Sequence, residues 1–580
     1  MASQSNRTEG AADGAPASVL AGNVADLVAA ASARGADHPA LVEPGRGLVL
    51  SWAAVDAAAT GEADRLSAAG IRTGDRVLIR LGHGARYCVA LFGALRAGAV
   101  AVPVGTHSTE RELAAIVADC TPSVLVAEPG DSAVSAVVSA GGAAPDARVL
   151  GPPELAAGGP AAAATGQAAS ATGPAASATG RAAVGGGEDI AVLGYTSGTT
   201  GVPRGVRLSH RALLANRAQT AQLRPVPVSP ADRVLLNLPL FHIYGLGAGL
   251  LQVCWAGATG VLVDRVEPAE LVEVIRAERV TALAGVPSMY RALLELPSQR
   301  LRDTLVTVRL CTAGGAPLAP VLLRAFQDAT GLDLYEGYGL TETGPVLTTT
   351  MVGGRSKPGS VGRPLPAGPG VAGVELRLVD AGDPPASDGS GGGSEVRRGD
   401  FDRNDFDDDP NDFDDDADDE QPDTGLVSVR GPNLFSGYWP DGAGGPDADG
   451  WFRTSDVGYL DADGDLHLVA RATDLVIVNG FNVYPREVEQ VLAEHPSVKE
   501  AAVFGVPDPR TGETVKAVLV RRPGAELTVE QVREHCATRL ARFKIPTSVE
   551  FADRLPRSAT GKITRVSLGA ERTGPEGGAR

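Results

Sequence analysis

Short β-branched runs alternate with amphipathic segments along most of this 580-residue chain, and few architectures accept that rhythm. Arg76–Leu81, Ser123–Ala127, Ile190–Leu193, Arg233–Leu238 and Val308–Cys311 read as strands. Between them Arg211–Leu223, Pro268–Ala277 and Pro287–Leu296 space their apolar residues as helices do. The alternation predicts an α/β body of parallel sheets covered on both faces. From about Asp474 the pattern becomes short strands with helices near Pro485–Glu494 and Thr528–Leu540, which predicts a second, smaller α+β domain of roughly 100 residues.

Two stretches break the rhythm. Gly158–Gly187 is nearly all Ala, Gly, Ser, Thr and Pro and repeats AASATG, so it has little to bury and reads as a linker or surface insertion. Asp380–Thr424 runs from a Gly/Ser stretch into NDFDDD and PNDFDDD and reads as a solvated acidic loop. Fifteen acids against three arginines between Glu395 and Asp423 account for −12 of the net charge of −18. The rest is close to neutral, which argues against a nucleic-acid partner. Five scattered cysteines without a CxxC argue against a disulfide framework or a zinc cluster and fit a reducing compartment. The first residues lack the apolar core of a secretory signal. The uncharged stretch Val234–Val263 reads as a buried helix followed by a strand, not a membrane span. These features predict a cytoplasmic protein with no transmembrane segment.

The strongest chemical signal is Tyr195-Thr-Ser-Gly-Thr-Thr-Gly-Val-Pro-Arg-Gly205. A strand runs into a loop of four hydroxyls (Thr196, Ser197, Thr199, Thr200) among glycines (Gly198, Gly201), with Arg204 just beyond. Glycines let a polyphosphate approach the backbone, and hydroxyls and N–H groups donate to its oxygens. It is not a Walker A loop, since G-x-x-x-x-G-K-[ST] is absent.

This segment resembles the phosphate loop YTSGTTGxPKG of the adenylate-forming enzymes, which include acyl-CoA synthetases, peptide-synthetase adenylation domains and firefly luciferase. Arg204 stands where the family usually has lysine. The resemblance runs from about Ala25 to Arg565, apart from the two inserts, and further motifs follow in order. Glu336-Gly-Tyr-Gly-Leu-Thr-Glu342 resembles QGYGxTE, Gly314-Gly-Ala-Pro317 the adenine-side segment, and Trp451–Asp456 the element GWxxTGD with Ser455 for Gly. Arg471 matches the arginine of GRxKD, with Ala470 for the glycine and Thr473 at the usual hinge position. Gly480-Phe-Asn482 resembles the loop that CoA ligases bring to thioesterification, and Pro556–Arg565 the signature PRxxxGKxxR.

The resemblance implies roles. Tyr338 would stack on adenine beside Glu336, Gly337, Gly339, Gly315, Ala316 and Pro317. Thr341 would touch the α-phosphate, and Glu342 with Thr199 would hold Mg²⁺. Asp456 and Arg471 would bind ribose. Lys562, one of only five lysines in the chain, would reach the substrate carboxylate and α-phosphate. Gly480, Phe481 and Asn482 would meet CoA. Phe241, His242, Gly245 and Gly314 would line the acyl pocket, with His242 a gate beside the carboxylate, where amino-acid-activating relatives carry aspartate. Glycines at 245, 247, 249, 314 and 315 are expected to leave room there.

The implied fold is a body of parallel α/β sheets with a small β-barrel-like part (18–470, carrying inserts 158–187 and 380–424), a hinge at 471–474, and a mobile α+β cap (475–566) between unstructured ends 1–17 and 567–580. The implied activity is that of a carboxylic acid–CoA ligase using ATP, Mg²⁺ and CoA on a medium- or long-chain acid. Alternatives are an aryl-acid CoA ligase, an acyl-AMP ligase serving an acyl carrier protein, and an inactive nucleotide-binding scaffold. Monomer and homodimer are both open.

Overall fold

The computed structural model describes residues 19–140, 147–155, 182–197, 203–264, 267–379, 424–471, 476–478, 481–508, 512–540, 542–557 and 563. Of Ser197, Ala470, Arg471, Ile477, Phe481, Asn482 and Gly512 it gives the backbone only. It is an α/β fold with a large N-terminal part of two major sheets and a smaller C-terminal part.

A nine-stranded sheet has at its centre six parallel strands, in the order Leu334–Tyr338, Leu310–Ala313, Ala282–Gly285, Arg233–Leu236, Thr259–Leu262 and Pro39–Glu43. The edge strands run the other way. Thr348–Thr349, Arg363–Pro364 and Leu48–Ser51 pair antiparallel, because each follows its neighbour through a connection with no crossover helix on the sheet face. In the second sheet Arg148–Leu150, Val124–Ala127, Arg76–Arg80, Val100–Pro103 and Ile190–Ser197 run parallel, and Pro203–Ser209 closes the edge as an antiparallel hairpin strand. The inner strands are buried on both faces, as their near-continuous apolar sequences require.

Two helices fill the space between layers. Ala85–Arg96 is buried almost all round, which matches its apolar composition. His210–Thr220 is just as buried but is polar: His210, Asn216, Arg217, Gln219 and Thr220 are all within it. Read from sequence as an ordinary amphipathic helix, it instead depends on internal hydrogen bonds. Val24 N–H donates to His210 Nδ1 at 2.9 Å, and Gln219 Nε2 donates to the Ala372 carbonyl at 2.8 Å. Burial pushes the His210 pKa down to about 4, so the ring is neutral and free to accept.

The stretch Val234–Val263 is a wide π-type turn, Tyr244–Leu251, leading into helix Gln252–Ala256 and a strand. No helix among the described residues is long and apolar enough to cross a membrane. The small all-β part is a four-stranded antiparallel sheet of Glu375–Val379, Gly425–Arg430, Trp451–Leu460 and Leu466–Arg471. The C-terminal part is a five-stranded sheet with helices Pro485–Ala493 and Val529–Ala537 around its own apolar core. All five cysteines are buried and unpaired.

Of the stretch 158–187, the last six residues belong to the folded body: Val184 N–H donates to the Arg96 carbonyl at 3.1 Å and its own carbonyl accepts from Asn23. The expectations for 1–17, 567–580, the hinge Thr473 and nearly all of the acidic stretch lie outside the described residues.

Candidate active site

The sequence motifs converge where strands of both large sheets end, the edge at which α/β sheets usually bind ligands. From the six-stranded sheet, Ile190–Ser197 and Pro203–Ser209 pair with Thr196 opposite Arg204, so residues 198–202 connect the two strand ends. Gly198, Thr199, Thr200 and Gly201 themselves lie outside the described residues. The base of this hairpin is held from two sides. Tyr195 donates its hydroxyl to Asp119 at 2.5 Å, and Trp439 N–H donates to the Gly205 carbonyl at 2.8 Å while its indole donates to the Asp119 carbonyl at 3.0 Å.

From the nine-stranded sheet, Leu334–Tyr338 delivers Glu336, Gly337 and Tyr338, followed by Gly339 and the turn Thr341–Thr343. That turn is clamped: Phe435 N–H donates to the Glu342 carbonyl at 2.9 Å, and Asn433 Nδ2 to the Thr343 carbonyl at 2.9 Å. Thr341 faces the hairpin so closely that a Cβ on Gly194 would lie 3.1 Å from its methyl group. The structure thus brings Thr196, Arg204, Thr341 and Glu342 together.

A residue that the sequence reading passed over joins them. Tyr438 donates its hydroxyl to Glu342 Oε1 at 2.8 Å, and the Arg204 guanidinium stacks on its ring at 3.7 Å from the centroid. Burial, then the Glu342 charge, push the Tyr438 pKa well up, so the phenol stays a donor. The only signal was an aromatic pair, Tyr438-Trp439, in a glycine-rich stretch. The Glu342 Oε2 atom makes no described hydrogen bond. A carboxylate oxygen presented near the strand ends at Thr196 and Arg204 suits Mg²⁺, which takes one or two carboxylates and completes its shell with phosphates and water.

Asp456 is 6% exposed and accepts from the Tyr338 hydroxyl at 2.6 Å. It stands opposite Arg471 in the antiparallel pair of the small sheet, so the two expected ribose residues share one register position. Glu336 is turned inward. Its Oε1 accepts from Leu318 N–H at 3.1 Å, which braces the segment Gly314-Gly315-Ala316-Pro317. Desolvation by burial raises its pKa to about 8, against the pull of that hydrogen bond and of Arg486. Glu336 therefore braces the backbone just after Pro317.

A cavity adjoins this cluster, lined by mostly apolar side chains with Ala313 and Gly337 at its wall. Phe241, His242, Gly245 and Gly314 are not among its lining residues. Two of these glycines sit in close packing: a Cβ on Gly245 would collide with the Pro239 carbonyl, and one on Gly314 would lie 3.1 Å from the Tyr244 ring, whereas one on Gly315 would meet nothing nearer than 3.7 Å. Tyr244 does line the cavity; its hydroxyl donates to the Gly285 carbonyl at 3.3 Å, and burial pushes its pKa to about 12. His242 Nδ1 accepts from Tyr244 N–H at 3.2 Å, which assigns the ring proton to Nε2 in the neutral form, and Phe241 lies against His107. Arg217, Thr220 and Gln252, absent from the sequence reading, also line the cavity.

In the C-terminal part, Arg557 and Ile563 form a β-bridge, with Lys562 between them outside the described residues. Gly480 lies outside as well, and Phe481 and Asn482 are placed by backbone in strand Phe481–Val483. The two parts meet through Arg486, which donates to the Leu468 carbonyl at 3.2 Å, and through Arg291 and Glu500 at 3.7 Å.

The profile of the AMP-binding enzyme family matches residues 28–399, and that of the AMP-binding enzyme C-terminal domain matches 487–562. A long-chain-fatty-acid–CoA ligase of Bacillus subtilis is 35% identical over 387 residues, covering 66% of this chain and 62% of that enzyme. A feruloyl-CoA synthase of an Amycolatopsis species is 33% identical over 542 residues, covering 92% of this chain and 96% of that one. Among solved structures, ATP-bound MatB from Rhodopseudomonas palustris superimposes with a TM-score of 0.76 at 32% identity, covering 94% of this chain and 98% of MatB.

Proposed function

Because this chain belongs to the AMP-binding enzyme family of adenylate-forming acyl- and aryl-CoA ligases, we propose that it joins a medium- or long-chain carboxylic acid to CoA with cleavage of ATP to AMP and pyrophosphate. The observation that carries the acyl reading is the largely apolar cavity beside Gly337 and Ala313, the residues that precede Tyr338 and Gly314. An aryl acid is the second reading, favoured by the near-full-length match to a feruloyl-CoA synthase.

In the first half-reaction a substrate carboxylate oxygen attacks the α-phosphorus of ATP and pyrophosphate leaves, giving an acyl-adenylate. Tyr338 stacks on adenine and Asp456, oriented by the Tyr338 hydroxyl, accepts from ribose. The hairpin at 196–204 donates to the phosphates, and Arg204, held flat on Tyr438, sets a fixed positive charge beside them. Glu342 and Thr199 would hold Mg²⁺, which supplies charge neutralisation at the leaving pyrophosphate. Lys562 neutralises charge on the α-phosphoryl oxygens as the new bond forms. In the second half-reaction the C-terminal part turns about Thr473, withdrawing Lys562 and bringing the segment 480–482 to the site. The CoA thiolate attacks the acyl carbonyl and AMP leaves. Positioning and electrostatics carry both steps without a covalent enzyme intermediate.

The test is mass spectrometry of products from purified protein, Mg-ATP and a panel of C2–C18 and aryl acids, with and without CoA. Acyl-CoA with AMP is the expected outcome, and the preferred acid separates the two readings. Acyl-adenylate that persists with CoA present would point to a carrier-protein acceptor. No adenylate from any acid would overturn the proposal.

A further inference from the structure

Three arginines among the described residues are almost fully buried: Arg80, Arg96 and Arg217, at 4%, 2% and 1% exposure. Two of them meet a carboxylate, Arg80 with Asp131 at 2.9 Å and Arg96 with Asp56 at 2.6 Å. Arg217 meets none. Its Nη1 donates to Gln252 Oε1 at 2.8 Å and its Nη2 to Asn216 Oδ1, both neutral amides, and its Nε–H has no acceptor. The Thr220 hydroxyl donates to the same Gln252 oxygen at 3.0 Å, which fixes that amide with its oxygen toward the guanidinium. Burial lowers the Arg217 pKa to about 9, so the group still carries its charge at pH 7. A buried cation without a counter-ion is among the costliest arrangements a protein keeps.

Arg217, Thr220 and Gln252 all line the cavity beside Gly337. A plain hydrocarbon chain entering there would leave the charged guanidinium without a counter-ion. A distal carboxylate would supply the missing counter-ion in a charge-assisted bond. We propose that Arg217 anchors a second carboxylate, remote from the one that is activated, and that the acid substrate is an α,ω-dicarboxylic acid. This rests on the ligase reading above; only one carboxylate is adenylated, and the product is the half-thioester with its far carboxylate intact.

The test compares monocarboxylic acids with dicarboxylic acids of equal length, C6 to C16, by pyrophosphate release from wild type, Arg217→Met and Arg217→Lys. Wild type is expected to prefer the dicarboxylate of at least one length by about tenfold or more in kcat/KM, the scale of one charge-assisted hydrogen bond. Arg217→Met should lose that preference, and Arg217→Lys should keep part of it. Equal or better use of monocarboxylates by wild type overturns the inference and leaves the ligase reading standing; this ratio decides even if the methionine variant does not fold. Should neither series release pyrophosphate, the ligase reading fails, and thermal-shift titration of wild type with the dicarboxylates decides the site by itself. Stabilisation by a dicarboxylate and not by its monocarboxylate partner supports it, and none overturns it.

Discussion

The phenol of Tyr338 and the carboxylate of Asp456 share a 2.6 Å hydrogen bond that ties strand Leu334–Tyr338 of the nine-stranded sheet to the four-stranded one. It fixes the carboxylate expected to hold ribose through the ring expected to hold adenine. Tyr338→Phe keeps the ring and removes the donor. The expected result is a rise in KM for ATP of about tenfold, with a smaller change in kcat, since hydrogen bonds to charged groups contribute about 1.5–3 kcal/mol. Steady-state pyrophosphate release checks this; an unchanged KM would sink the pairing of roles.

Tyr438 offers a separable pair of functions. Tyr438→Phe keeps the face on which Arg204 stacks and deletes the hydroxyl on Glu342. Losing a partner of a metal-holding carboxylate typically weakens metal affinity by about 10–100-fold. The Mg²⁺ concentration for half-maximal activity should therefore rise by at least several-fold. Superimposable Mg²⁺ titrations of the two proteins would refute the assignment of Glu342.

Glu336 predicts a pH signature in stability. Its folded pKa, near 8, is raised above the ordinary glutamate value of 4.5 by burial. The folded state then binds the extra proton, so the contribution is fully present below about pH 4.5 and is lost as pH climbs through 8. Glu336→Gln mimics the protonated form. Between pH 5 and 7 the variant should gain on wild type by about 1.4 kcal/mol per pH unit in chemical denaturation. Parallel pH profiles would show that Glu336 is not held neutral.

Lys562→Ala should cripple adenylation while sparing thioester formation from supplied acyl-AMP. Rates of the two half-reactions, measured separately by rapid quench, make the comparison. Equal losses in both would remove Lys562 from the first step.

Much of the fold was legible because the inner strands are buried on both faces and so carry unbroken apolar runs; Pro268–Ala277 forms over the very span its periodicity marks. The antiparallel edges were less visible, since Thr348–Thr349 and Arg363–Pro364 are too short for any period. The nucleotide motifs were legible as contiguous segments. What escaped was the contribution of residues whose partners are distant in the chain. Tyr438 means nothing until it meets Glu342, 96 positions away. Arg217 lies within a stretch read as an ordinary amphipathic helix, because sequence alone does not show that the helix is buried nearly all round. The glycines were ambiguous for a related reason: a missing Cβ can open a pocket or let backbones touch, and only the neighbour decides.

Arg204 is where this chain leaves the usual lysine, and its contact with Tyr438 changes what a reversion would do. A guanidinium is planar and lies flat on an aromatic face, whereas an ammonium is a compact, strongly hydrated point. Restoring the common residue here would strip a stacked partner from the ring whose hydroxyl steadies Glu342. An engineer who replaced Arg204 by consensus would be editing two positions at once while changing one codon. Position 204 and position 438 are best treated as a single unit.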